Sequence, residues 1–532
     1  MIDCLLVGFN DYDFPGYVDM VKLMGPDSGA YQDLRLAYVE HEGHPYRALD
    51  LLSALHGDGT RRFHNSDFLW PVITYLGSFL ARRGFTFDYV NLFHLEKEKL
   101  AEKLTTQDVR TVAITTTLYV SPHPIIEIVS FIRKHHPTVK IVIGGPYIAN
   151  QAQMLDGPDQ EALLEYLDGD IYVIGREGEL TLTRILSALR DDGDLAAVPN
   201  LAYRKGAGFT FTPVEVESNP LAENLVDYTL FPPTDINEFV TTRTAKSCPF
   251  SCAFCGFPQR AGKYTYLDLD HVERELEHLA ELGSVSTVTF LDDTFNVPKV
   301  RFRELLRMMI RRDFGFRWNC FYRSDHGDAD TIRLMAEAGC EGVFLGIESG
   351  SDAMLQRMNK TARRKDYLAA LGVFNEVGIS TYASLIIGFP GETDETVAET
   401  VSLLETARPE YYRAQLWYAD PVTPIWQKRQ EYGIKGEAFN WSHDTMDSAR
   451  ACRVIDDLFT SVRGSTWLPQ FGFEQWSVFY LQRKGMSREQ IRTFVRHFNA
   501  AVADQIAEPG QARIKPELLD ALRASSQFEA AR

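Results

Sequence analysis

The feature that most constrains this fold is a repeated alternation of short apolar runs with segments of helical spacing. In the first part of the chain the apolar runs are 2–9, 85–93, 109–117, 139–146 and the beginning of 170–190. Strands that alternate with helices form a parallel, doubly wound sheet, in which ligands bind at the carboxyl ends of the strands. Only residues 10–65, rich in Gly, Asp, Tyr and His, interrupt the pattern, and they are predicted to form a long loop that acts as a lid or a binding loop.

The alternation resumes after a proline-bearing linker at 219–233. The predicted strands of this second part are 239–246, 285–293, 316–323, 341–349, 380–390 and 411–419. Six strand and helix pairs are fewer than the eight of a closed barrel, so a partial (β/α)6 barrel is predicted. Beyond residue 440 the pattern changes to helices with many aromatic residues, which predicts a helical C-terminal cap. The domain limits predicted on this basis are 1–215, 216–435 and 436–532.

Composition excludes several classes of protein. The 532 residues are enough for two or three domains, each with its own core. A formal charge of -18 with scattered Lys and Arg argues against a nucleic-acid binder. No apolar stretch reaches 18 residues, which argues against a membrane span, and the N-terminus lacks the basic and apolar regions of a signal peptide. A cytoplasmic, reducing location is therefore expected, where seven cysteines do not form a disulfide framework.

Three of those cysteines are crowded into the eight residues "CPFSCAFC": Cys248, Cys252 and Cys255. Four thiolates normally hold an iron–sulfur cluster, and four N or S ligands hold structural zinc, so three thiols leave one position open. The spacing differs from the paired CxxC of zinc ribbons, and His271 lies 16 residues beyond Cys255 in a predicted helix. The residues favour a [4Fe–4S] cluster with one free iron, and zinc is the alternative. The remaining cysteines are predicted to be buried core residues: Cys4, Cys320, Cys340 and Cys452.

The Cx3Cx2C spacing, with an aromatic residue at 254, resembles the motif of the radical S-adenosylmethionine (radical SAM) superfamily. In that superfamily SAM binds the fourth iron, and the reduced cluster cleaves SAM to a 5′-deoxyadenosyl radical that abstracts hydrogen from the substrate. The resemblance implies that the amino group of SAM contacts Asp292 or Asp293 in "FLDDTF". The other SAM-binding residues that it implies are Phe254, Arg323, Glu348 and Ser384. Two simpler interpretations stay open: Asp293 caps a helix, or Arg323 and Glu348 pair with each other.

An α/β unit before such a barrel resembles the Rossmann-like cobalamin-binding domain of class B radical SAM enzymes. The resemblance is carried by "VAITTTLYVSPHP", "VIGGPYI" and "DIYVIGREGELTLTRIL". The cobalamin-binding residues that it implies are Thr115, Thr116, Thr117, Tyr119, Val120, Gly144, Gly145, Pro146, Gly175, Glu177 and Glu179. Glycines at strand ends would let a bulky ligand approach the backbone. The alternative is an ordinary nucleotide-binding domain, although no GxGxxG follows the first strand.

One motif of cobalamin proteins is absent from the sequence. In methionine-synthase-type proteins an Asp-x-His-x-x-Gly motif places a histidine under the cobalt, but none of the 13 histidines here has Asp two residues before it. The resemblance therefore implies base-off cobalamin without a histidine ligand from this motif. It also implies that Tyr119 and Val120 face the lower side of the cobalt.

Within class B, the blocks "DCLLVGFND", "DSGAYQDLRLAYVEHEG" and "FHNSDFLWPVITYLG" most resemble the P-methyltransferase family of phosphinothricin and phosalacine biosynthesis. The resemblance implies a cobalamin-dependent methyltransferase that uses SAM both as methyl donor and as radical source. It implies methylation of an unactivated carbon or a phosphinate phosphorus on a small natural-product substrate, with electrons from a flavodoxin or ferredoxin. A phosphinate needs cationic or N–H contacts. The candidate cations are Arg243, Lys246, Arg260, Lys263 and Arg413.

Two alternatives remain open at the level of the sequence. The first is a cobalamin-binding radical SAM enzyme that catalyses a rearrangement or cyclisation without transferring a methyl group. The second is a zinc-bound scaffold protein without catalysis.

Overall fold

The computed structural model describes residues 1–11 and 13–529. Within these residues the chain folds into two units. The first comprises Met1–Asp13 and Phe68–Asn237, and the second comprises Phe14–Asp67 and Glu238–Arg532. The chain therefore leaves the first unit after one strand, builds part of the second unit and then returns.

Strands and helices are numbered along the chain. The strands are β1 (Cys4–Phe9), β2 (Tyr38–His41), β3 (His44–Arg47), β4 (Phe87–Leu92), β5 (Thr111–Thr115), β6 (Lys140–Gly144), β7 (Ile171–Val173), β8 (Leu201–Lys205), β9 (Gly208–Phe211), β10 (Phe239–Thr242), β11 (Ala245–Lys246), β12 (Thr265–Tyr266), β13 (Thr287–Phe290), β14 (Arg317–Tyr322), β15 (Cys340–Glu348), β16 (Ser380–Ile387), β17 (Tyr411–Leu416), β18 (Lys435–Glu437), β19 (Asn440–His443), β20 (Met446–Asp447) and β21 (Thr466–Trp467). The helices are α1 (Phe14–Leu23), α2 (Gly29–Leu34), α3 (Ala48–Leu55), α4 (Pro71–Ala81), α5 (Lys97–Thr106), α6 (His123–His135), α7 (Pro146–Met154), α8 (Gly157–Leu167), α9 (Glu179–Arg190), α10 (Phe257–Ala261), α11 (Leu269–Glu281), α12 (Lys299–Arg312), α13 (Ala329–Glu337), α14 (Asp352–Arg357), α15 (Arg364–Val377), α16 (Asp394–Ala407), α17 (Ser448–Ser461), α18 (Gln475–Arg483), α19 (Arg488–Ala507) and α20 (Pro516–Ser525). No helix among the described residues combines the length and the apolar character that crossing a membrane requires.

The first unit contains the predicted parallel sheet. Its strand order is β4-β1-β5-β6-β7-β8-β9, with the first five strands parallel and β8 and β9 added antiparallel. Among the parallel strands this is the flavodoxin-like order, whose switch point lies between β1 and β5. Buried side chains of β1, β5 and β6 pack against the apolar faces of α5, α6 and α8, which form one side of the core. The sheet thus leaves the carboxyl ends of β1 and β5 as the expected ligand crevice.

The segment predicted as a loop at 10–65 is structured instead, so that prediction is wrong. It contains α1, α2, the antiparallel hairpin β2–β3 and α3. Phe14, Val18 and Val21 recur at helical spacing and bury one face of α1 against Leu34 and Tyr38. Glycines and aspartates between these positions masked the helical period, because those residue types also favour turns. The hairpin β8–β9 and the helices α7 and α8 were likewise not predicted.

The second unit is built on the predicted partial barrel. Its strand order is β10-β13-β14-β15-β16-β17-β21, and all neighbours are parallel. The six predicted strands are confirmed, five within shorter limits and β15 shifted by one residue, and the two-residue β21 extends the sheet. Residues of one sheet face are fully or almost fully buried: Val288, Cys320, Val343 and Leu345. The opposite face, here called the open face, keeps partly accessible side chains: Phe321, Phe344, Ile386 and Gln415.

The C-terminal helices cover the amino-terminal end of the open face. Gly342 at the start of β15 lies so close to the Phe479 ring of α18 that a Cβ atom there would clash with it. Arg483 Nε donates a hydrogen bond to Thr287 Oγ1 (2.6 Å). The predicted helical region after residue 440 is confirmed, although it also contains the small antiparallel sheet β18-β19-β20.

A buried ion pair fastens α2 to the sheet of the same unit. The Arg413 guanidinium on β17 has no exposed surface, and its Nη2 lies 3.0 Å from Asp33 Oδ1. Arg413 Nη1 also donates a hydrogen bond to the Pro469 carbonyl (2.6 Å), and the guanidinium lies 4.7 Å from the centre of the Trp467 ring. A guanidinium buried in this way needs its carboxylate, because an unpaired buried charge is strongly destabilising.

We predict that D33N lowers the free energy of unfolding of the second unit by about 3 kcal/mol, because it leaves Arg413 buried and unpaired. Urea unfolding followed by tryptophan fluorescence measures the change. D27N is the matched control, because Asp27 is exposed. Equal unfolding midpoints for D33N and D27N would show that the ion pair contributes nothing to stability.

Candidate functional site

The three clustered cysteines lie on the loop between β11 and α10. This loop follows β10, the first strand of the second sheet, with the short strand β11 between them. All three are half-buried. The Cys255 N–H donates to the Cys252 carbonyl (3.2 Å), and the Phe257 N–H donates to Cys255 Sγ (3.4 Å). Burial raises the pKa of the Cys255 thiol to about 11 and also raises the pKa of Cys248. Thiolates at these positions therefore need a strong positive charge beside them, which a metal centre supplies.

The donor chemistry of the cysteine loop is that of a metal centre with one open position. Within the described part of the chain, the three sulfurs are not among the groups of ligand atoms that all lie within 4.8 Å of one another. Three thiolates bind three irons of a [4Fe–4S] cluster, whereas structural zinc takes four protein ligands. The three thiols therefore fit a [4Fe–4S] cluster.

The connection Met358–Thr361, here called the MNKT segment, holds the cysteine loop in place. Asn359 Nδ2 donates to the Ser251 carbonyl (2.7 Å) and to Ser251 Oγ (3.1 Å). The Ala253 N–H donates to the Met358 carbonyl (2.8 Å). Asn359 has a φ of 55°, a left-handed conformation that Asn tolerates better than most residues. Beside this loop, the Phe254 ring stands edge-on to Phe389 at a centroid distance of 6.5 Å.

The structure separates the two candidate aspartates after β13. Asp292 is buried and accepts hydrogen bonds from the Thr244 N–H (2.9 Å) and Thr244 Oγ1 (3.0 Å), so its role is to tie β13 to the end of β10. Burial raises the pKa of Asp292 to about 6. Asp293 keeps an accessible side chain at the carboxyl edge of the sheet. The surrounding protein nevertheless desolvates it and, with repulsion from Asp292, raises its pKa to about 7.

Asp293 does not cap the next helix, because α12 begins at Lys299 and its N-cap residue is Pro298. The helix-cap interpretation of Asp293 is therefore wrong. Of the two aspartates, Asp293 is the one positioned to reach a ligand.

Arg323 follows β14 at the same edge of the sheet. Its Nη2 lies 3.0 Å from Asp325 Oδ2 and donates a hydrogen bond to Thr361 Oγ1 (2.9 Å). Its guanidinium carbon lies 3.6 Å from the centre of the Phe250 ring, which belongs to the cysteine loop. The interpretation that Arg323 pairs with Glu348 is therefore wrong, because Asp325 is the ionic partner of Arg323.

Glu348 ends β15 in an unusual conformation. Its φ is 64°, a left-handed value that is costly for residues other than glycine. The carboxylate turns back over Gly346, where a Cβ atom would lie 2.5 Å from Glu348 Oε1. Ser384 on β16 is the register partner of Gly346. Glu348 and Ser384 are thus brought to neighbouring positions on the open face.

The partner of Glu348 is Lys360, which the sequence did not single out. Lys360 Nζ lies 3.1 Å from Glu348 Oε1 and also donates to the Gly346 carbonyl. Both side chains are buried, with 5% and 10% of their surface exposed. The MNKT segment therefore contacts the cysteine loop, Arg323 and Glu348. The sequence contains one signal for the position of the MNKT segment. Met354, Leu355 and Met358 are spaced so that all three side chains are buried, which places the end of α14 in the core.

In the first unit, the predicted residues after β5 fall into two groups. Thr116 is buried and its Oγ1 donates to the Gly144 carbonyl (3.0 Å), while Thr115 Oγ1 and Thr117 Oγ1 lie 3.4 Å apart. Tyr119 is also buried, and its hydroxyl oxygen accepts a hydrogen bond from the Asn10 N–H (2.7 Å). By contrast, 90% of Val120 is exposed.

Leu118, between Thr117 and Tyr119, is 65% exposed and has a φ of 69°. The loop after β5 therefore presents apolar side chains to solvent at the switch point of the sheet. Exposed apolar residues at the expected ligand crevice fit a large ligand with an apolar face.

Packing inside the first unit explains why glycine occurs at the predicted positions. A Cβ atom would lie 3.1 Å from Val173 at Gly144, and 3.0 Å from the Asn200 side chain at Gly175. Gly145 has a φ of 110°, and a Cβ atom there would lie 2.9 Å from Thr116 Oγ1. Close packing of the strand ends therefore accounts for these glycines without a ligand, and Pro146 begins α7.

The predicted glutamates surround the N-terminus of α9. Asn219 Nδ2 lies 3.2 Å from Glu177 Oε2, 3.2 Å from Glu179 Oε2 and 2.9 Å from Glu217 Oε2. Glu217 also accepts hydrogen bonds from the backbone N–H groups of Leu180 (3.0 Å) and Thr181 (2.8 Å). A carboxylate of the chain thus already satisfies the positive end of this helix. The sequence missed Glu217 and Asn219 because they lie beyond β9, far from the motif.

Comparison with known proteins gives a family match within the second unit. Residues 243–404, which include the three cysteines and Asp293, Arg323, Glu348 and Ser384, match the family model of the radical SAM superfamily. The chain contains a radical SAM domain. Such a domain implies a [4Fe–4S] cluster and SAM.

Relatives cover a larger part of the chain. An uncharacterised methyltransferase of Pyrococcus horikoshii is 26% identical over 356 residues, which are 64% of this chain and 73% of the relative. An anaerobic magnesium-protoporphyrin IX monomethyl ester cyclase of Rubrivivax gelatinosus is 24% identical over 400 residues, 70% of this chain and 68% of the relative.

Two solved structures share the fold. The radical SAM methyltransferase TsrM of Kitasatospora setae, solved with cobalamin and a [4Fe–4S] cluster, has a TM-score of 0.56 and 20% identity, and the match covers 80% of this chain and 77% of TsrM. The cobalamin-dependent radical SAM enzyme OxsB has a TM-score of 0.54 and 16% identity, with 76% of this chain and 51% of OxsB covered. The α/β architecture with mostly parallel sheets is therefore shared with TsrM and OxsB.

We predict that C248A, C252A and C255A each abolish assembly of the iron–sulfur cluster, because three thiolates are the minimum donor set here. Iron and sulfide analysis with absorption spectra of anaerobically reconstituted protein measures the loss. C452A is the control, because Cys452 is a buried thiol on α17. A full iron content in any of the three variants would exclude that cysteine as a ligand.

We predict that K360M weakens SAM binding by about tenfold without loss of iron, because Glu348 would be left buried without its positive partner. The readout is the concentration of SAM that changes the EPR spectrum of the reduced cluster. K360R should restore part of the affinity, and K365M is the control, because Lys365 is exposed. An unchanged SAM dependence in K360M would contradict a positioning role for Lys360.

Proposed function

We propose that this protein is a cobalamin-dependent radical SAM methyltransferase that methylates an unactivated carbon or a phosphinate phosphorus of a small natural-product substrate. The observation that carries the proposal is the set of three half-buried thiols at the carboxyl edge of a radical SAM domain. The methyltransferase relative and the fold shared with TsrM, a methyltransferase solved with cobalamin, support the proposal. The sequence blocks that resemble the P-methyltransferase family support the phosphinate version.

In this proposal Cys248, Cys252 and Cys255 bind three irons of the cluster. When bound and reduced, the cluster would supply the electron for SAM cleavage, and a flavodoxin or ferredoxin would be the electron donor to the protein. Asp293 accepts a hydrogen bond from the SAM amino group, since Asp292 is engaged by Thr244. Phe254 supports the cysteine loop by its contact with Phe389.

The residues on the next strands position the rest of SAM. The Arg323 guanidinium, held by Asp325 and Thr361, faces the SAM carboxylate. Glu348 and Ser384 accept hydrogen bonds from the ribose hydroxyls, and Lys360 keeps the Glu348 carboxylate in position. Burial of Glu348 and Lys360 limits competition from water, so the hydrogen bonds to the ribose are retained.

Cobalamin in this proposal is held by the first unit, base-off, at the switch point between β1 and β5. It supplies the methyl group that the substrate receives. Leu118 and Val120 offer exposed apolar contacts to the corrin, and the Thr115 and Thr117 hydroxyls offer hydrogen bonds. The Tyr119 hydroxyl oxygen, which accepts a hydrogen bond from the Asn10 N–H, fixes this loop where Tyr119 and Val120 would face the lower side of the cobalt. Gly144, Gly145, Pro146, Gly175, Glu177 and Glu179 shape the strand ends and the start of α9 around the site.

A second candidate function is supported by the cyclase relative. The Rubrivivax gelatinosus protein aligns over 70% of this chain and is named a cyclase, not a methyltransferase. A radical formed at the same site would then lead to ring closure or rearrangement of the substrate without methyl transfer.

The test uses the full chain, purified without oxygen and supplied with cobalamin, a low-potential reductant and SAM labelled with a deuterated methyl group. We expect brown protein that retains iron and corrin, formation of 5′-deoxyadenosine, and loss of the labelled methyl group from SAM to the corrin fraction or to an added acceptor. Mass spectrometry measures the label and the nucleoside. C252A is the control that should form no 5′-deoxyadenosine.

Three outcomes separate the alternatives. Formation of 5′-deoxyadenosine while the label stays in methionine and SAM would favour the cyclisation or rearrangement function. Protein that retains iron but never corrin would contradict the role of the first unit. Colourless protein with bound zinc would contradict the whole proposal.

A further inference from the structure

We infer that the open face of the second sheet carries a subsite for an uncharged substrate with an amide group next to a ring or other apolar body. The subsite consists of Gln415, Gln470 and Tyr382, with the rings of Phe321 and Phe344 beside them. The inference depends on the proposed function in one respect: the substrate must reach the open face of the radical SAM domain. It concerns the choice between a neutral substrate and a phosphinate anion.

Side chains from four adjacent strands and one loop form a continuous polar and aromatic strip. The rings of Phe321 and Phe344 are 4.7 Å apart, and those of Phe344 and Tyr382 are 4.8 Å apart. Gln470 Nε2 donates a hydrogen bond to the Tyr382 hydroxyl oxygen (2.8 Å), and Gln415 Nε2 donates to Gln470 Oε1 (3.1 Å). Strand register brings Phe321, Phe344 and Tyr382 to adjacent positions on the same face as Gln415.

The turn that carries Gln470 is strained. Gln470, Phe471 and Gly472 have φ values of 59°, 47° and 93°, so three consecutive residues are left-handed and two of them are not glycine. Such conformations cost about 1 to 3 kcal/mol each and persist where the surrounding structure enforces them. Here the Phe471 ring packs against the apolar cluster of α1, α2 and β2, which fixes the turn. The strained turn directs the Gln470 amide to the open face, where its Nε2 reaches the Tyr382 hydroxyl oxygen.

The strip keeps hydrogen-bonding capacity for a ligand. Gln415 Oε1 accepts no hydrogen bond from the described residues, and the side chain is partly accessible. Tyr382 is buried, with 1% of its surface exposed. Its oxygen accepts from Gln470, and its hydroxyl hydrogen has no acceptor among the described residues. An acceptor and a donor next to aromatic rings are complementary to an amide, whose N–H and C=O lie beside an apolar body.

Three cations of the second unit are already paired with carboxylates. Arg413, the cation nearest to Gln415 along β17, is paired with Asp33, and Lys360 is paired with Glu348. Arg260, another of the cations considered for a phosphinate, is paired with Asp420. A phosphinate anion buried here would lose its hydration, and the three cations named above are already held by carboxylates, so its burial is costly. The open face therefore favours an uncharged substrate.

The test compares two probes that share a benzene ring: N-acetyl-L-phenylalaninamide, which is uncharged and carries amides, and the phenylphosphinate anion. Binding to anaerobic protein loaded with cluster and SAM is measured by isothermal titration calorimetry. We expect the amide probe to bind about tenfold more tightly than phenylphosphinate. We expect Q470L to weaken the amide probe by about tenfold, because it removes the link between Gln415 and Tyr382.

Two further variants complete the test. Y382F removes only the Tyr382 hydroxyl group and should also weaken binding of the amide probe. This variant provides the test if the Q470L protein does not retain its cluster. Q430L is the matched control, because Gln430 is exposed. Tighter binding of phenylphosphinate than of the amide probe, or wild-type affinity in both Q470L and Y382F, would overturn the inference. Failure of methyl transfer or corrin binding would contradict the proposed function instead, since calorimetry reads probe binding directly.

Discussion

The site depends on one constraint: β10 and β13–β17 run parallel and in sequence order. Parallel strands joined by helices send all their carboxyl ends to one edge of the sheet. Cys248, Asp293, Arg323 and Glu348 are spread from residue 248 to residue 348, yet each follows or ends a strand at that edge. A reversed strand would move the side chain at its carboxyl end to the opposite edge, so the parallel arrangement is a condition for the candidate site and not only for the fold.

Burial of charge is the second organising feature. Lys360 is neutralised by Glu348 and Arg413 by Asp33, while the Asp292 carboxylate accepts two hydrogen bonds from Thr244. Each partner replaces the hydration that the charged group loses on folding, because an unpaired charge in the interior costs several kcal/mol. These pairs also fix geometry: Lys360 holds Glu348, and Arg413 joins α2 to β17. The same pairing leaves the polar strip of the open face with neutral amide groups as its recognition elements.

Prediction from the sequence succeeded where the signal was local. The strands of both sheets are apolar runs of period two or continuous apolar runs, and all six predicted strands of the second unit recur, five of them within shorter limits. The cysteine motif places three thiols on one loop regardless of the remaining fold. Prediction failed where helical spacing was diluted by turn-forming residues, as in 10–65. It could not distinguish Asp292 from Asp293, because their roles depend on Thr244, 48 residues away along the chain.

The sequence by itself determined the alternation of strands and helices, the parallel sheets that follow from it, and the cysteine loop at the end of a strand. These depend on the period of apolar residues and on short spacings, which are properties of neighbouring residues. Only the tertiary structure decided that Lys360 supports Glu348, that Glu217 occupies the start of α9, and that Gln470 lies on the open face beside Tyr382. Those contacts join residues that are distant in the chain, and burial, charge pairing and strand register select them only once the sheets have formed.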